Sequence, residues 1–244
     1  MHRLIYVEYK KLLSSKILWL IIFGAFMPGL IASLMLLEES HLDWKEFYHV
    51  AMFIYNIQSI LTFSAFASYV WAREYEENMM ENLLCYPYSK QHIFYAKLLI
   101  LLPVILVTSV LFVFASHMAA PFLVSGALEL ENVKEFVSIV GVMVIMHFLL
   151  LPFVLFVTML SRQAVTGIIL GVLFMLVCTI FYSSSFIQYI PFIIPMVLAD
   201  HLLGFDKLIL SGYTVPVIIL LLTFAFSLGG CLWLLRSNKI HIQN

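Results

Sequence analysis

The chain has 244 residues, of which 63% are hydrophobic and only 11% are charged. A soluble domain is close to half apolar and a quarter charged, so this composition excludes a soluble globular protein and indicates an all-α integral membrane protein. The net charge of −1 offers no basic surface for nucleic acid, and three scattered cysteines predict neither a disulfide framework nor a metal cluster. We expect one transmembrane domain over residues 1–244.

Residues 1–16 predict an amphipathic helix that lies on the membrane surface. At helical spacing, the apolar side chains share one side of this segment. The opposite side carries Arg3, Glu8, Lys10 and Lys11. A basic amphipathic helix is suited to the inner headgroup layer, and the alternative is a solvated tail ahead of the first span.

Six hydrophobic stretches are long enough to cross a bilayer, whose core of about 30 Å needs a helix of about 20 residues. The runs are continuous rather than alternating, which favours helices over strands. The predicted spans cover residues 17–37, 50–72, 98–118, 136–160, 164–184 and 213–235.

The distribution of basic residues predicts the orientation. An even number of spans places both termini on one side, and cytoplasmic segments carry the excess of Lys and Arg. With both termini in the cytosol, ten of the 13 Lys and Arg residues lie inside, and Lys45, Lys134 and Lys207 lie outside. We therefore expect a multi-pass protein of the cytoplasmic membrane.

The first cytosolic loop, residues 73–92, is longer than a return to the membrane requires, since residues 161–163 suffice for the next one. One face of a helix in this loop is apolar and the opposite face is acidic. The apolar face comprises Met79, Met80, Leu83 and Leu84. Pro87 interrupts the helix, and Ser89 is placed to cap the helix of the third span. A Met-rich amphipathic helix suits a groove on another protein, and the alternative is an interfacial connector without a partner.

Residues 185–212 on the outer side predict a re-entrant hairpin. The segment is apolar, but Pro191 and Pro195 interrupt it, and Asp200 and Asp206 make a seventh crossing costly. We expect short helices that enter the outer leaflet and are sheltered by protein, because exposed backbone is not tolerated at that depth. The alternative is an ordinary outer loop resting on lipid.

A polar stripe in the second span is a candidate substrate path. Tyr55, Gln58, Ser59 and Thr62 follow each other at helical i, i+3, i+4, i+7 spacing. Such a stripe could line a cleft between two subunits. The alternative is hydrogen bonding between helices within the subunit, where serine and threonine commonly serve.

Signatures of chemistry are missing from the sequence. It contains no H-E-x-x-H, no G-x-S-x-G and no G-x-x-x-x-G-K-[ST], so we predict no catalytic or metal-ligating residues and no cofactor bound by this chain. Energy for uphill transport would then enter from another polypeptide. Two alternatives stay open: a self-sufficient channel, secondary carrier or scaffold, and an intramembrane enzyme using His117 and His147.

The stretch "EYEENMMENLLCYPYSKQHIFYAKLL" and the outer "YIPFIIP" resemble the membrane subunit of type-2 ABC exporters, as does the layout of the whole chain. The family pattern has an acidic helix, Leu-Leu, P-x-S-[KR] and a lysine that opens the third span. The matching positions are Glu76, Glu77, Leu83, Leu84, Pro87, Ser89, Lys90 and Lys97. The family often has Gly-Thr after the acids, where this chain has Asn78 and Met79.

The resemblance implies a mechanism. Two membrane subunits, identical or related, associate above two cytosolic P-loop ATPases, which bind ATP and Mg²⁺. The first cytosolic loop is then the coupling helix, seated in a cleft of the ATPase. The implied coupling residues are Glu76, Glu77, Met80, Leu83, Leu84, Pro87, Ser89 and Lys90. Subunits of this size resemble permeases that export, or confer immunity against, antimicrobial or amphipathic peptides, and others move lipids, drugs or sodium.

Overall fold

The fold is a bundle of helices, seen in a computed structural model that describes residues 2–39, 41–76, 89–184, 186–205 and 214–237. The α-helices are α1 (His2–Leu13), α2 (Trp19–Met35), α3 (Trp44–Glu76), α4 (Lys90–Ala119), α5 (Leu130–Ser161), α6 (Val165–Phe181), α7 (Ile194–Leu202) and α8 (Thr214–Arg236). Short 3₁₀ turns cover Lys16–Leu18, Ala120–Phe122 and Ile187–Tyr189.

Helix length and composition confirm a multi-pass membrane protein. Within the described residues, 5 segments are long and apolar enough to cross a membrane: Lys16–Met35, Trp44–Arg73, Lys90–Phe122, Leu130–Ser161 and Thr214–Arg236. They coincide with the first four predicted spans and the last. The predicted span over 164–184 is α6, an apolar helix of 17 residues. The count of six spans therefore stays a prediction.

Helix α3 lies at the centre of the bundle, against α2, α5 and α6. Its closest neighbour is α6, because two glycines let the backbones approach. A Cβ added at Gly167 would overlap the Cβ of Ser68 and the carbonyl oxygen of Ser64. A Cβ added at Gly171 would lie 2.8 Å from the Cα of Leu61. The small-x-x-x-small spacing of α6 thus serves packing within the subunit.

Helix α1 packs against the bundle through a face that the sequence placed differently. Leu4, Glu8 and Leu12, spaced four residues apart, are buried, whereas Tyr6 and Tyr9 are exposed. Placing Glu8 on the solvated side was wrong, because the helix has protein on one side as well as the expected membrane surface. The location of α1 in the headgroup layer stays a prediction.

The segment predicted on the outer side contains α7, a short buried helix whose first turn includes a proline. Pro195 occupies the first turn of α7, where its missing N–H costs no hydrogen bond, and Pro191 lies in the preceding turn. The buried Asp200 accepts a hydrogen bond from the Tyr182 hydroxyl at 2.6 Å and lies 3.2 Å from Nε2 of His49. These contacts fasten α7 to α3 and to the end of α6. Re-entry into the outer leaflet stays a prediction.

Candidate coupling site

The predicted coupling loop leaves the bundle at the end of α3 and returns at the start of α4. Its residues 77–88 lie outside the described part of the chain, and so do five of the predicted coupling residues. These are Glu77, Met80, Leu83, Leu84 and Pro87. The structure does describe the two ends of the loop, at Glu76 and Ser89, and the residues that hold them.

Ser89 caps α4, as the sequence predicted. Its backbone is extended, and its hydroxyl oxygen accepts a hydrogen bond from the His92 backbone N–H at 3.4 Å. The same hydroxyl lies 2.5 Å from Nδ1 of the His92 side chain. Lys90 is the first residue of the helix and is half-buried. This cap fixes the point at which the chain re-enters the bundle.

Glu76, the exposed last residue of α3, forms a hydrogen bond with another part of the same subunit. Its Oε1 accepts a hydrogen bond from the backbone N–H of Ala164 at 2.8 Å, at the start of α6. A carboxylate is favoured there because the first turn of a helix has unpaired N–H groups and a partial positive charge. In the same turn, Arg162 has a positive φ of 59° and its guanidinium lies 5.9 Å from the centre of the Tyr75 ring. The departure point of the loop is thus tied to the turn between α5 and α6.

Lys97, in the second turn of α4, is buried rather than extended toward the headgroups. Its side chain is 2% exposed, and its ammonium donates to the Val70 carbonyl of α3 at 2.7 Å. The same ammonium lies 3.4 Å from Oε2 of Glu8, which is 6% exposed. It also lies 5.9 Å from the centre of the Trp71 ring. One cation therefore joins α1, α3 and α4.

Further contacts bind α1 to the C-terminal end of α3. Lys11 pairs with Glu8 at 3.0 Å, and its backbone carbonyl accepts a hydrogen bond from Arg73 at 3.1 Å. Burial by itself would raise the pKa of the Glu8 carboxyl, but the attraction of Lys97 and Lys11 outweighs burial and holds that pKa below its usual value. Glu8 therefore stays ionised at neutral pH.

The described contacts anchor both ends of the predicted coupling loop. These contacts join the two flanks of the loop to α1 and to the α5–α6 turn. Of the predicted coupling residues, Glu76 makes one of these contacts and Ser89 caps α4, whereas Glu8 and Arg73 were not predicted as parts of the network. The sequence does contain a pattern from which Glu8 could have been found: it is a charged residue between Leu4 and Leu12 in an otherwise apolar helical row.

The predicted substrate-path residues are distributed over contacts inside the subunit. Tyr55 lies 2.7 Å from the Ser109 hydroxyl of α4, and Gln58 donates to the Phe23 carbonyl of α2 at 2.9 Å. Ser59 and Thr62 are buried. A role in a path for cargo stays a prediction for all four.

The two membrane histidines are hydrogen-bonded to neighbouring helices. His147 lies 2.6 Å from the Ser59 hydroxyl, and its other ring nitrogen is 2.7 Å from the Met143 carbonyl. His117 lies 3.1 Å from the Tyr48 hydroxyl. No three His, Cys, Asp or Glu side chains converge on a possible metal site within the described ranges.

Comparison with known proteins agrees with this layout. The model of the ABC-2 family transporter proteins matches residues 4–179, from α1 through most of α6. A search of curated proteins returned no match. The matched segment includes both flanks of the coupling loop and covers most of the chain. The chain therefore belongs to the ABC-2 family of transporter proteins, as a membrane permease subunit of a kind that works with ATPase subunits.

Proposed function

We propose that this chain is the permease subunit of an ATP-driven exporter and is moved by cytosolic ATPases through the loop between α3 and α4. The observation that carries the proposal is the anchorage of this loop. Glu76 at one end is bound to the α5–α6 turn, and α4, which Ser89 caps at the other end, is held to α1 and α3 through Lys97. Because both ends are fixed, a displacement of the loop has to move the helices.

In the proposed mechanism, the apolar face of residues 77–88 seats in a cleft of the ATPase. This is the predicted face of Met79, Met80, Leu83 and Leu84. ATP and Mg²⁺ bind to the partner, and closure of the ATPase pair pushes the loop. The inner ends of α3 and α4 follow, and the bond from Glu76 to Ala164 carries the displacement on to α6.

The proposed cargo is amphipathic or hydrophobic: a peptide such as an antimicrobial or toxin peptide, a drug or a lipid. The buried polar groups of α3 and α4 in mid-span are neutral, as in Asn56, Ser59, Thr62, Thr108 and Ser109. Because these groups are buried within the subunit, the proposed cargo class rests on the family resemblance. We further propose that two permeases, identical or related, form the complex in the cytoplasmic membrane with their termini in the cytosol.

Docking through the loop is tested by the double substitution Leu83→Asp and Leu84→Asp. We expect recovery of the partner ATPase with the tagged, membrane-inserted subunit to fall at least about tenfold, since seating two carboxylates in an apolar cleft costs well over 1.4 kcal/mol. The matched control is Leu128→Asp with Leu130→Asp, at two exposed apolar positions predicted on the outer side. Undiminished recovery of the ATPase by the loop variant would exclude docking at these leucines.

A further inference from the structure

We propose that Glu8 and Lys97 are positioning residues of the coupling site: their ion pair makes α1 move together with the two helices that flank the loop. This inference rests on the proposed function, because it assumes that the loop receives the motion of an ATPase. It adds α1 to the two helices, α3 and α4, that transmit the motion of the loop. It also assigns a role to a carboxylate of α1.

The position of the pair in the fold supports this role. Lys97 is in the second turn of the helix that follows the loop, and its ammonium also binds the Val70 carbonyl of the helix that precedes the loop. Glu8 is on neither flank, yet its carboxylate completes the coordination of that ammonium at 3.4 Å. The pair therefore bridges three elements where the loop departs and returns.

Burial makes the link rigid and specific. Both side chains are almost fully buried, so solvent and salt screen their attraction much less than that of a surface pair. Packing adds to the ion pair, because Leu4 of α1 contacts Ile93 and Ala96 of α4 in one small apolar cluster. Arg73 adds a second connection, to the carbonyl of Lys11. Motion of either flank is thus passed to α1.

Burial also argues against a role in stability alone. A buried ion pair adds little net stability compared with apolar side chains of the same volume. Leu4 and Leu12 already supply apolar contacts above and below Glu8 on the same face of α1. A charge in that row costs desolvation, and its distinct contribution is a directed bond to one atom of α4.

The test compares Glu8→Gln, which keeps the volume and removes the charge, with Glu8→Asp, which keeps the charge. Each full-length subunit is purified with its ATPase in lipid nanodiscs. The readout is the ratio of ATP hydrolysis rates per ATPase with and without the permease. We expect unchanged ATPase recovery for both variants. For Glu8→Gln, we expect the change in hydrolysis rate that the permease causes to be roughly threefold smaller than for wild type, so that the ratio moves toward 1. This effect is within the usual range for positions that modify coupling. Glu8→Asp should retain most of the wild-type ratio.

The pair of Lys45 and Glu135, 3.7 Å apart and 54% and 32% exposed, is predicted on the outer side and provides the matched control. Glu135→Gln makes the same chemical change and should leave the ratio at its wild-type value. A Glu8→Gln subunit with the wild-type ratio per bound ATPase would overturn the inference, even if less complex is recovered, because a purely structural role changes only the amount of complex. Failure of the proposed function looks different: the wild-type permease would neither retain the ATPase nor change its rate.

Discussion

Gly167→Ala is expected to disrupt the bundle, although it adds only one methyl group. The new Cβ would overlap Ser68 and the backbone carbonyl of Ser64, and a backbone atom cannot rotate away as a side chain can. Helix α6 would have to separate from α3, and the hydrogen bond from the Gly167 N–H to the Ser68 hydroxyl, 3.1 Å long, would be lost. We expect a loss of about 3 kcal/mol or more in the free energy of unfolding.

The measurement is thermal unfolding of the detergent-solubilised subunit, together with its elution profile in size exclusion. Gly141→Ala is the matched control, because Gly141 is also inside a helix but a Cβ there has no other atom within 4 Å. It should be neutral or slightly stabilising, since alanine favours helix more than glycine does. Equal stability of the two variants would contradict the close contact between α3 and α6.

Lys97→Met is expected to produce the second large effect. It keeps a long flexible side chain but leaves the buried Glu8 without its partner on α4 and removes a donor to the Val70 carbonyl. Removing one member of a buried ion pair typically costs about 3–5 kcal/mol, and we expect about 3 kcal/mol because Lys11 still contacts Glu8. Denaturant unfolding of the purified subunit measures this loss.

Lys45→Met serves as the control for Lys97→Met. Lys45 also pairs with a glutamate, but its side chain is 54% exposed and the pair joins the first two turns of α3 and α5 at the surface of the bundle. Such pairs contribute about 0–1 kcal/mol, so the control should unfold close to wild type. If the two lysine variants were equally stable, the buried position of Lys97 would be wrong.

The membrane-spanning helices could be predicted from the sequence wherever a single physical effect, such as hydrophobicity or helix capping, determines the structure. Continuous apolar runs specify helices across a bilayer, and the serine ahead of Lys90 specified where α4 begins. Helix ends were less accurate: α3 starts at Trp44 and continues to Glu76, beyond the predicted 50–72. The helix is longer because its polar ends bind other parts of the protein, and hydropathy does not register such contacts.

The residues around the coupling loop could be predicted only in part, because their contacts are distant in sequence. Glu8 is 89 residues from Lys97, and Glu76 is 88 residues from Ala164. Helical periodicity assigns one apolar face per helix, whereas α1 faces protein on one side and leaves Tyr6 and Tyr9 exposed on another. A charge that periodicity assigns to the solvated side is then buried where it has a partner on another helix, as Glu8 does.

The proposed function requires an ATPase to engage the loop of residues 77–88 from the cytosol. The loop contains Cys85, and the other two cysteines, Cys178 and Cys231, are buried. The most direct measurement is labelling by a membrane-impermeant maleimide in sealed vesicles of both orientations, with Cys85→Ser as the blank. We predict labelling only where the cytosolic face is outward, and protection when the ATPase is bound. Labelling from the exterior, or undiminished labelling with the ATPase bound, would contradict docking of the ATPase on this loop from the cytosol.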